Sequence, residues 1–248
     1  MPASNPRVIA HRGASAYAPE NTLAAFDAAL ALGAREAEMD VHLTRDGHAA
    51  VIHDATVDRT TDGSGPVASL ALAQLQALDA GTCFSPEFIG QRVPSLDEVL
   101  ARYKGRLRLH IEIKPNSATL ARLVADLVRE HGMAADVSVI SFRHGLVRLV
   151  HGYAPDISLG LLARSPDDKT VRLALETGAA VYARAASLTG ARVRRLHGKG
   201  LSVVAWDVPD ERVMARALDG GVDGIALDFP DWALAYLKHS FPETVHAR

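Results

Sequence analysis

The chain has 248 residues, of which 48% are hydrophobic and 23% charged, and its formal net charge at pH 7 is −2. This composition excludes a disordered chain, and the near-neutral charge predicts no nucleic-acid partner. The one cysteine, Cys83, excludes an internal disulfide and a cysteine zinc cluster. No apolar run is long enough for a membrane span, and the N-terminus lacks the pattern of a secretion signal, so we expect a cytoplasmic protein.

Short β-rich runs recur along the whole chain. The predicted strands lie near 7–11, 35–41, 48–52, 107–113, 137–141, 157–161, 179–182, 201–206 and 223–227. From 137 onward, successive strands begin 20 to 22 residues apart, and each interval has room for one helix. That period is typical of repeated βα units and a parallel sheet. If 48–52 is a short excursion, eight strands are left, which is enough to close an α/β barrel of the (β/α)8 TIM type.

The main alternative to a barrel is a doubly wound open sheet. No glycine-rich dinucleotide-binding fingerprint follows the first predicted strand, which disfavours that alternative. We therefore predict a single barrel domain over residues 1–248. Residues 54–95 interrupt the βα period and contain a turn cluster at 62–66, so we expect a small insertion over one mouth of the barrel, with a helix from Ser69 to Leu78.

Two further helices have sequence signals at their N-termini. Asn21 is a candidate N-cap for a helix over 21–33, which leaves Glu20 to orient a neighbouring group. Ser95 and Glu98 form a capping box, in which each side chain satisfies a free backbone N–H at the start of a helix.

Charged residues alternate with apolar ones in two predicted strands. Glu38 and Asp40 share one face of the strand 35–41, and Glu112 lies on the corresponding face of 107–113. The apolar faces should pack on the helices, so the carboxylates should point into the barrel, where an unpaired charge is costly. Three inward carboxylates predict a site for a hard divalent cation, Mg²⁺ or Ca²⁺. The alternative is that Glu38 and Asp40 form salt bridges with arginine and lysine.

Two histidines follow predicted strands at the end where barrel enzymes keep their catalytic groups. His11 ends the first strand, and His53 follows the run 48–52. A histidine pair supplies one base and one acid near neutral pH, so these two residues are candidates for catalysis, with a structural or exposed position as the alternative for any single one of the 11 histidines. His110 shares the face of Glu112 but lies deeper, where a structural role is the alternative.

Eight short motifs follow one another between residue 8 and about residue 230. They are His11-Arg12-Gly13, Pro19-Glu20-Asn21-Thr22, Glu38-x-Asp40-Val41, Thr44-x-Asp46-Gly47, His53-Asp54, Arg59-Thr60-Thr61, Glu112-Ile113-Lys114 and Gly221-Val222-Asp223-Gly224-Ile225. Each motif alone is weak, but eight in this order are specific, and the chain resembles the glycerophosphodiester phosphodiesterases. The resemblance implies a (β/α)8 barrel with a small insertion after the early strands.

The resemblance also implies roles for individual residues. The family's acid–base pair corresponds to His11 and His53, and the ligands of its one divalent cation correspond to Glu38, Asp40 and Glu112. Arg12 and Lys114 match groups that hold the phosphate, and Trp206 matches an aromatic residue that shapes the glycerol side of the pocket.

The reaction implied by the resemblance is hydrolysis of a small-molecule glycerophosphodiester to sn-glycerol 3-phosphate and an alcohol. The glycerol 2-hydroxyl would attack phosphorus, with His11 as base and His53 as acid, although the residue pattern does not fix which histidine takes which role. Two alternatives stay open: a phospholipase D-like lyase acting on lysophospholipids, and a barrel that binds a phosphodiester without cleaving it. The sequence predicts no oligomeric state.

Overall fold

The computed structural model describes residues 5–240 and contains a closed barrel. Its strands are β1 (Arg7–Ala10), β2 (Glu36–Leu43), β3 (Ala49–Val51), β4 (Arg108–Ile113), β5 (Val137–Ser141), β6 (Ser158–Ala163), β7 (Ala180–Arg184), β8 (Val203–Trp206) and β9 (Gly224–Leu227). Eight of them are parallel, in the order β1-β9-β8-β7-β6-β5-β4-β2, and pairing of β1 with β2 closes the ring. The short β3 pairs antiparallel with the end of β2. The predicted barrel and the predicted excursion at 48–52 are both confirmed.

Helices alternate with the strands and cover the outside of the barrel. They are α1 (Leu23–Ala31), α2 (Leu72–Gln76), α3 (Leu96–Tyr103), α4 (Ala118–Glu130), α5 (His144–Tyr153), α6 (Asp168–Thr177), α7 (Gly190–His197), α8 (Glu211–Asp219) and α9 (Pro230–Ser240). The capping box predicted at the start of α3 is present, since Ser95 and Glu98 each bond the other's backbone N–H.

The alternation of residues along each strand divides the core into two layers. Met39 and Ile111 belong to the large cluster between sheet and helices, whereas the barrel interior is filled by a separate cluster. That interior cluster consists of Ile9, Ile140, Leu162, Tyr182, Val204 and Ala226. The carboxylates of β2 and β4 lie on the same inward face, as predicted, because Glu38 and Glu112 alternate with residues of the outer layer.

The first helix differs from the sequence prediction at its N-terminus. It begins at Leu23, and Thr22 is the N-cap, because the Thr22 hydroxyl accepts a hydrogen bond from the backbone N–H of Ala25. Asn21 has a backbone φ of 58°, and its side-chain amide bonds Asp40 instead. The predicted N-cap role of Asn21 is therefore wrong, since a buried carboxylate on β2 takes up its side chain.

The predicted insertion, residues 54–95, packs around a small hydrophobic core that it shares with Ala50 and Ile52 of the preceding run. Its predicted helix from Ser69 to Leu78 is wrong in extent, because only Leu72–Gln76 is α-helical. The helix begins late because Ala71 is extended, with φ −73° and ψ 156°, and the N–H of the next residue donates to the carboxylate of Asp46.

Gly13 allows the loop between β1 and α1 to pass against the first helix. Its φ is 81°, and a Cβ at this position would lie 2.6 Å from backbone and side-chain atoms of Ala25. Gly47 has a similar φ of 85°, but a Cβ there would meet nothing within 4 Å. An alanine at either position would therefore strain the backbone, but only an alanine at position 13 would also clash with a neighbouring residue.

We expect Gly13→Ala to lower the free energy of unfolding by about 1–3 kcal/mol more than Gly47→Ala, which is the usual cost of overpacking. Gly47→Ala should itself cost about 1–2 kcal/mol, from the left-handed backbone alone. Urea denaturation of both variants measures the difference. Equal losses of stability would show that the close approach of this loop to α1 is not a constraint on the fold.

Candidate active site

Three carboxylates meet at the C-terminal end of the barrel strands. Glu38 and Asp40 lie on β2, and Glu112 lies on β4, directly opposite Asp40 in the parallel register. One carboxylate oxygen from each residue lies within 4.8 Å of the other two, and the three residues are only 5%, 1% and 8% exposed. The structure thus brings together the predicted cation ligands in a buried cluster.

Burial, together with mutual repulsion, shifts the pKa values of the cluster. Burial and the charge of Asp40 raise the pKa of Glu38 to about 8 and the pKa of Glu112 to about 7. Burial acts on Asp40 in the same sense, but the cations Arg12 and Lys114 outweigh it and hold the pKa of Asp40 below its usual 3.8.

Two cationic side chains contact the cluster. Arg12 Nε lies 3.3 Å from Asp40 Oδ2, and Lys114 Nζ lies 3.4 Å from Asp40 Oδ1 and 3.1 Å from Glu112 Oε1. Arg12 also donates its backbone N–H to Glu38 Oε2 at 3.1 Å. The salt bridges considered as an alternative to a cation site are therefore present at Asp40. Among residues 5–240, the one basic side chain within 4 Å of the Glu38 carboxylate is that of His11.

The donor chemistry of the cluster suits a hard divalent cation. Three carboxylates from two neighbouring strands offer the oxygen ligands that Mg²⁺ and Ca²⁺ prefer. A bound cation would also reverse the raised pKa values of Glu38 and Glu112, because ligands must be deprotonated. Arg12 Nε is buried and, although it lies 3.3 Å from Asp40 Oδ2, it makes no hydrogen bond within the described part of the chain, so its N–H is an unsatisfied donor beside the cluster.

Both predicted histidines lie near the cluster, and each is held by an acidic partner. His11 Nδ1 lies 2.6 Å from Asp228 Oδ1, and His53 Nδ1 lies 2.7 Å from Asp54 Oδ1. These contacts leave Nε2 of each ring available to a substrate, and His11 Nε2 is 3.9 Å from Glu38 Oε2. The two side chains are 33% and 27% exposed, so both are accessible from the barrel mouth.

The surroundings shift the pKa values of the two histidines in opposite directions. Partial burial would lower the pKa of His11, but the hydrogen bond to Asp228 and the charge of Glu38 raise it above 6.5. Burial lowers the pKa of His53 below 6.5, in spite of Asp40 and Asp54. A pair with separated pKa values suits one acid and one base. Because a cation at Glu38 would lower the pKa of His11, these shifts do not assign the two roles.

Trp206 and His110 occupy different depths of the barrel. Trp206 ends β8, and its ring packs edge-on against the ring of Phe142, with 5.4 Å between the ring centroids. The two rings form an aromatic wall at the C-terminal end of the barrel strands. Its contact with glycerol stays a prediction. His110 is fully buried between Tyr182 and Glu36, at 2.7 Å from each partner, which supports the structural role considered above.

The cavities do not by themselves identify this site. A cavity of about 560 Å³ lies at the opposite mouth, where Arg7 and Arg108 line it. A smaller cavity of about 120 Å³ is lined by Glu20 and Arg59. Glu20 contacts Arg12, which follows His11, and Arg59 contacts Asp54, which follows His53. The chemistry of the side chains, not the volume, therefore locates the candidate active site.

Sequence reasoning missed two residues that hold the site in place, since it gave Asn21 a helix-cap role and gave Asp228 none. Asn21 bonds the carboxylate and backbone of Asp40, and Asp228 accepts hydrogen bonds from His11 and Ser15. Asp228 could have been found from the barrel itself, because β1 pairs with β9 in the ring and so places the residue after β9 beside the residue after β1.

We expect Asp228→Asn to lower the pKa of His11 in the metal-free protein, because the negative charge that favours the imidazolium is removed. The shift is measured by NMR titration of the histidine ring protons, with His11→Ala to identify the resonance. Asp231→Asn is the control, since Asp231 accepts only from the Tyr17 hydroxyl among the described side-chain contacts. An unchanged pKa in Asp228→Asn would contradict the proposed pairing.

Comparison with known proteins agrees with the fold and identifies a family. The model of the Glycerophosphoryl diester phosphodiesterase family matches residues 11–232. A Bacillus subtilis relative, provisionally named a glycerophosphodiester phosphodiesterase, is 38% identical over 239 residues, covering 94% of this chain and 98% of the relative.

Two solved structures superimpose on nearly the whole barrel. A glycerophosphodiester phosphodiesterase from Agrobacterium tumefaciens is 34% identical, with a TM-score of 0.81 and coverage of 93% of this chain and 99% of that one. A phosphodiesterase from Oleispira antarctica, in complex with the product sn-glycerol-3-phosphate, is 26% identical, with a TM-score of 0.88 and coverage of 94% and 97%. The chain therefore belongs to the glycerophosphoryl diester phosphodiesterase family.

Proposed function

We propose that this protein hydrolyses glycerophosphodiesters to sn-glycerol 3-phosphate and an alcohol, with one Mg²⁺ or Ca²⁺ ion held by Glu38, Asp40 and Glu112. The observation that carries the proposal is the buried cluster of these three carboxylates beside two histidines. Family membership supports the substrate class, and the bound product of the Oleispira antarctica relative supports the reaction.

Arg12 and Lys114 bind the phosphate. Both lie against the carboxylate cluster and are largely buried, with side chains 18% and 19% exposed. Arginine offers a planar fork of donors and lysine a compact charge, so the two can hold different phosphate oxygens. When bound, the divalent cation supplies further positive charge to the phosphoryl oxygens. Trp206 bounds the glycerol side of the pocket in this arrangement.

The histidine pair moves the protons. One histidine removes the proton of the glycerol 2-hydroxyl, whose oxygen attacks phosphorus, and the other protonates the alcohol oxygen as its bond to phosphorus breaks. The product is a cyclic phosphate, which water opens to sn-glycerol 3-phosphate with the two roles reversed. Internal attack gains a high effective concentration, and it needs no nucleophile from the protein while the carboxylates hold the cation.

The two alternative functions receive less support from the structure. A lyase acting on lysophospholipids would need an exposed apolar surface. Leu75 is fully buried, and Leu70 and Leu78 pack on the small core of the insertion, which leaves Phe84 and Ile89 as its exposed large apolar side chains among the described residues. A barrel that only binds phosphodiesters would not need two histidines with carboxylate partners.

Location, partners and domain extent stay predictions from the sequence. None of the helices between residues 5 and 240 combines the length and apolar character needed to cross a membrane. The single domain over 1–248 was inferred from the strand period, the cytoplasmic location from the N-terminal pattern and the lack of a long apolar run, and the lack of a nucleic-acid partner from the net charge.

We expect the protein to release sn-glycerol 3-phosphate from glycerophosphocholine in the presence of Mg²⁺ or Ca²⁺, and to lose this activity after exhaustive EDTA treatment. Glu112→Gln should lose most of the activity, and excess cation should restore little. Glu36→Gln is the matched control, because Glu36 lies on the same face of β2 but bonds His110, deeper in the barrel. Full activity without divalent cations would remove the cation from the mechanism.

The same assay tests internal attack if the substrate is compared with its 2-deoxy analogue. The analogue lacks the attacking hydroxyl, so it should bind but be hydrolysed very poorly. Similar kcat values for the two substrates would indicate direct attack by water and would leave the carboxylate and histidine assignments unchanged.

A further inference from the structure

The motif Arg59-Thr60-Thr61 has no role in the proposed mechanism, yet Arg59 bonds two carboxylates beside the active site, those of Glu20 and Asp54. Its Nη1 and Nη2 donate to the two carboxylate oxygens of Glu20, each at 2.8 Å. Its Nε donates to Asp54 Oδ2 at 2.6 Å. The guanidinium therefore makes a bidentate contact with Glu20 along one edge and a single short hydrogen bond to Asp54 along another.

Each acidic partner of Arg59 also bonds a predicted site residue. The second oxygen of Asp54 lies 2.7 Å from His53 Nδ1, and Glu20 accepts a hydrogen bond from Arg12 Nη1 at 3.0 Å. Arg59 thus ties His53, which follows β3, to the loop after β1 that carries Arg12. Arg59 and His53 therefore contact the two oxygens of the same Asp54 carboxylate.

Exposure indicates that these contacts serve geometry more than global stability. The Arg59 side chain is 50% exposed, and ion pairs at such positions contribute little to stability. Asp54 is itself 32% exposed and follows His53 directly, so without a second partner its side chain would be free to turn towards solvent. The hydrogen bond from Arg59 also helps to lower the pKa of Asp54 to about 2, which keeps its charge beside the histidine.

We propose that Arg59 is a positioning residue that holds the His53 ring in its reactive orientation through Asp54, with Glu20 as the anchor. This inference rests on the proposed function, because it assigns Arg59 to the same site. It gives the insertion a part in the active site, since Arg59 lies within residues 54–95.

The test compares variants of Arg59 by their kcat and KM for glycerophosphocholine. Arg59→Met should lower kcat by about 100-fold, the scale of loss from a small misplacement of a catalytic group. Arg59→Lys should lie between this variant and the unmodified protein, because lysine keeps the charge but cannot make the bidentate contact. Arg92→Met is the control, since Arg92 lies in the same insertion, is 52% exposed and also pairs with a glutamate, Glu98.

A second background separates positioning from a general structural role. In His53→Ala, Arg59→Met should lower kcat by less than about threefold, because residues that act as a unit are not additive. Equal losses with and without His53, or a loss in Arg59→Met no larger than in Arg92→Met, would overturn the inference. Asp54→Asn should show the same dependence on His53, which keeps the test decisive if Arg59→Met folds poorly.

Failure of this inference and failure of the proposed function are distinguishable. If the unmodified protein releases no sn-glycerol 3-phosphate, the proposed function itself is wrong. If the unmodified protein is active, the comparison of the Arg59 variants bears on Arg59 alone.

Discussion

Repulsion among three carboxylates buried at one end of the barrel is the constraint on which the polar structure around them depends. Glu38, Asp40 and Glu112 lie within 4.8 Å of one another where water is largely excluded, and an uncompensated buried charge costs several kcal/mol. Arg12 and Lys114 compensate Asp40 directly, and Asn21 adds a hydrogen bond to it. These contacts do not fully compensate the negative charges of Glu38 and Glu112, and the pKa values of both residues are therefore raised. A divalent cation would supply the missing positive charge.

The loops around this cluster supply the remaining chemistry, and the topology explains why they meet. The parallel pairing of β1 with β9 brings Asp228 to His11 although 217 residues separate them in the chain. The excursion β3 pairs with β2 and brings His53 to the same end. Each histidine then has an acidic partner at Nδ1, and its Nε2 makes no hydrogen bond within residues 5–240. The end of the barrel that holds the carboxylates therefore also holds both histidines and the cationic side chains of Arg12 and Lys114.

The sequence predicted local features of this design better than contacts between distant loops. The inward direction of Glu38 and Glu112 follows from strand alternation, which the barrel preserves, and the eight parallel strands follow from the βα period. Asn21 was assigned to a helix cap because its local pattern suits one, but the buried Asp40 competes for the same amide and is the better partner. The bonds that Arg59 makes to Glu20 and Asp54 could not be predicted, because no periodicity specifies where a loop of the insertion will rest.

Thermal unfolding with and without a divalent cation, at pH 6 and at pH 8.5, tests most directly whether the carboxylate cluster binds a cation. Glu38 and Glu112 titrate near 4.5 when unfolded and near pKa values of about 8 and about 7 when folded without metal, so their contribution to stability declines as pH rises from about 4.5 to 8. Bound Mg²⁺ or Ca²⁺ should therefore raise Tm more at pH 8.5, where no proton has to be displaced, and Glu112→Gln should weaken this effect. A cation that raises Tm at neither pH, or raises it more at pH 6, would contradict a metal site at Glu38, Asp40 and Glu112.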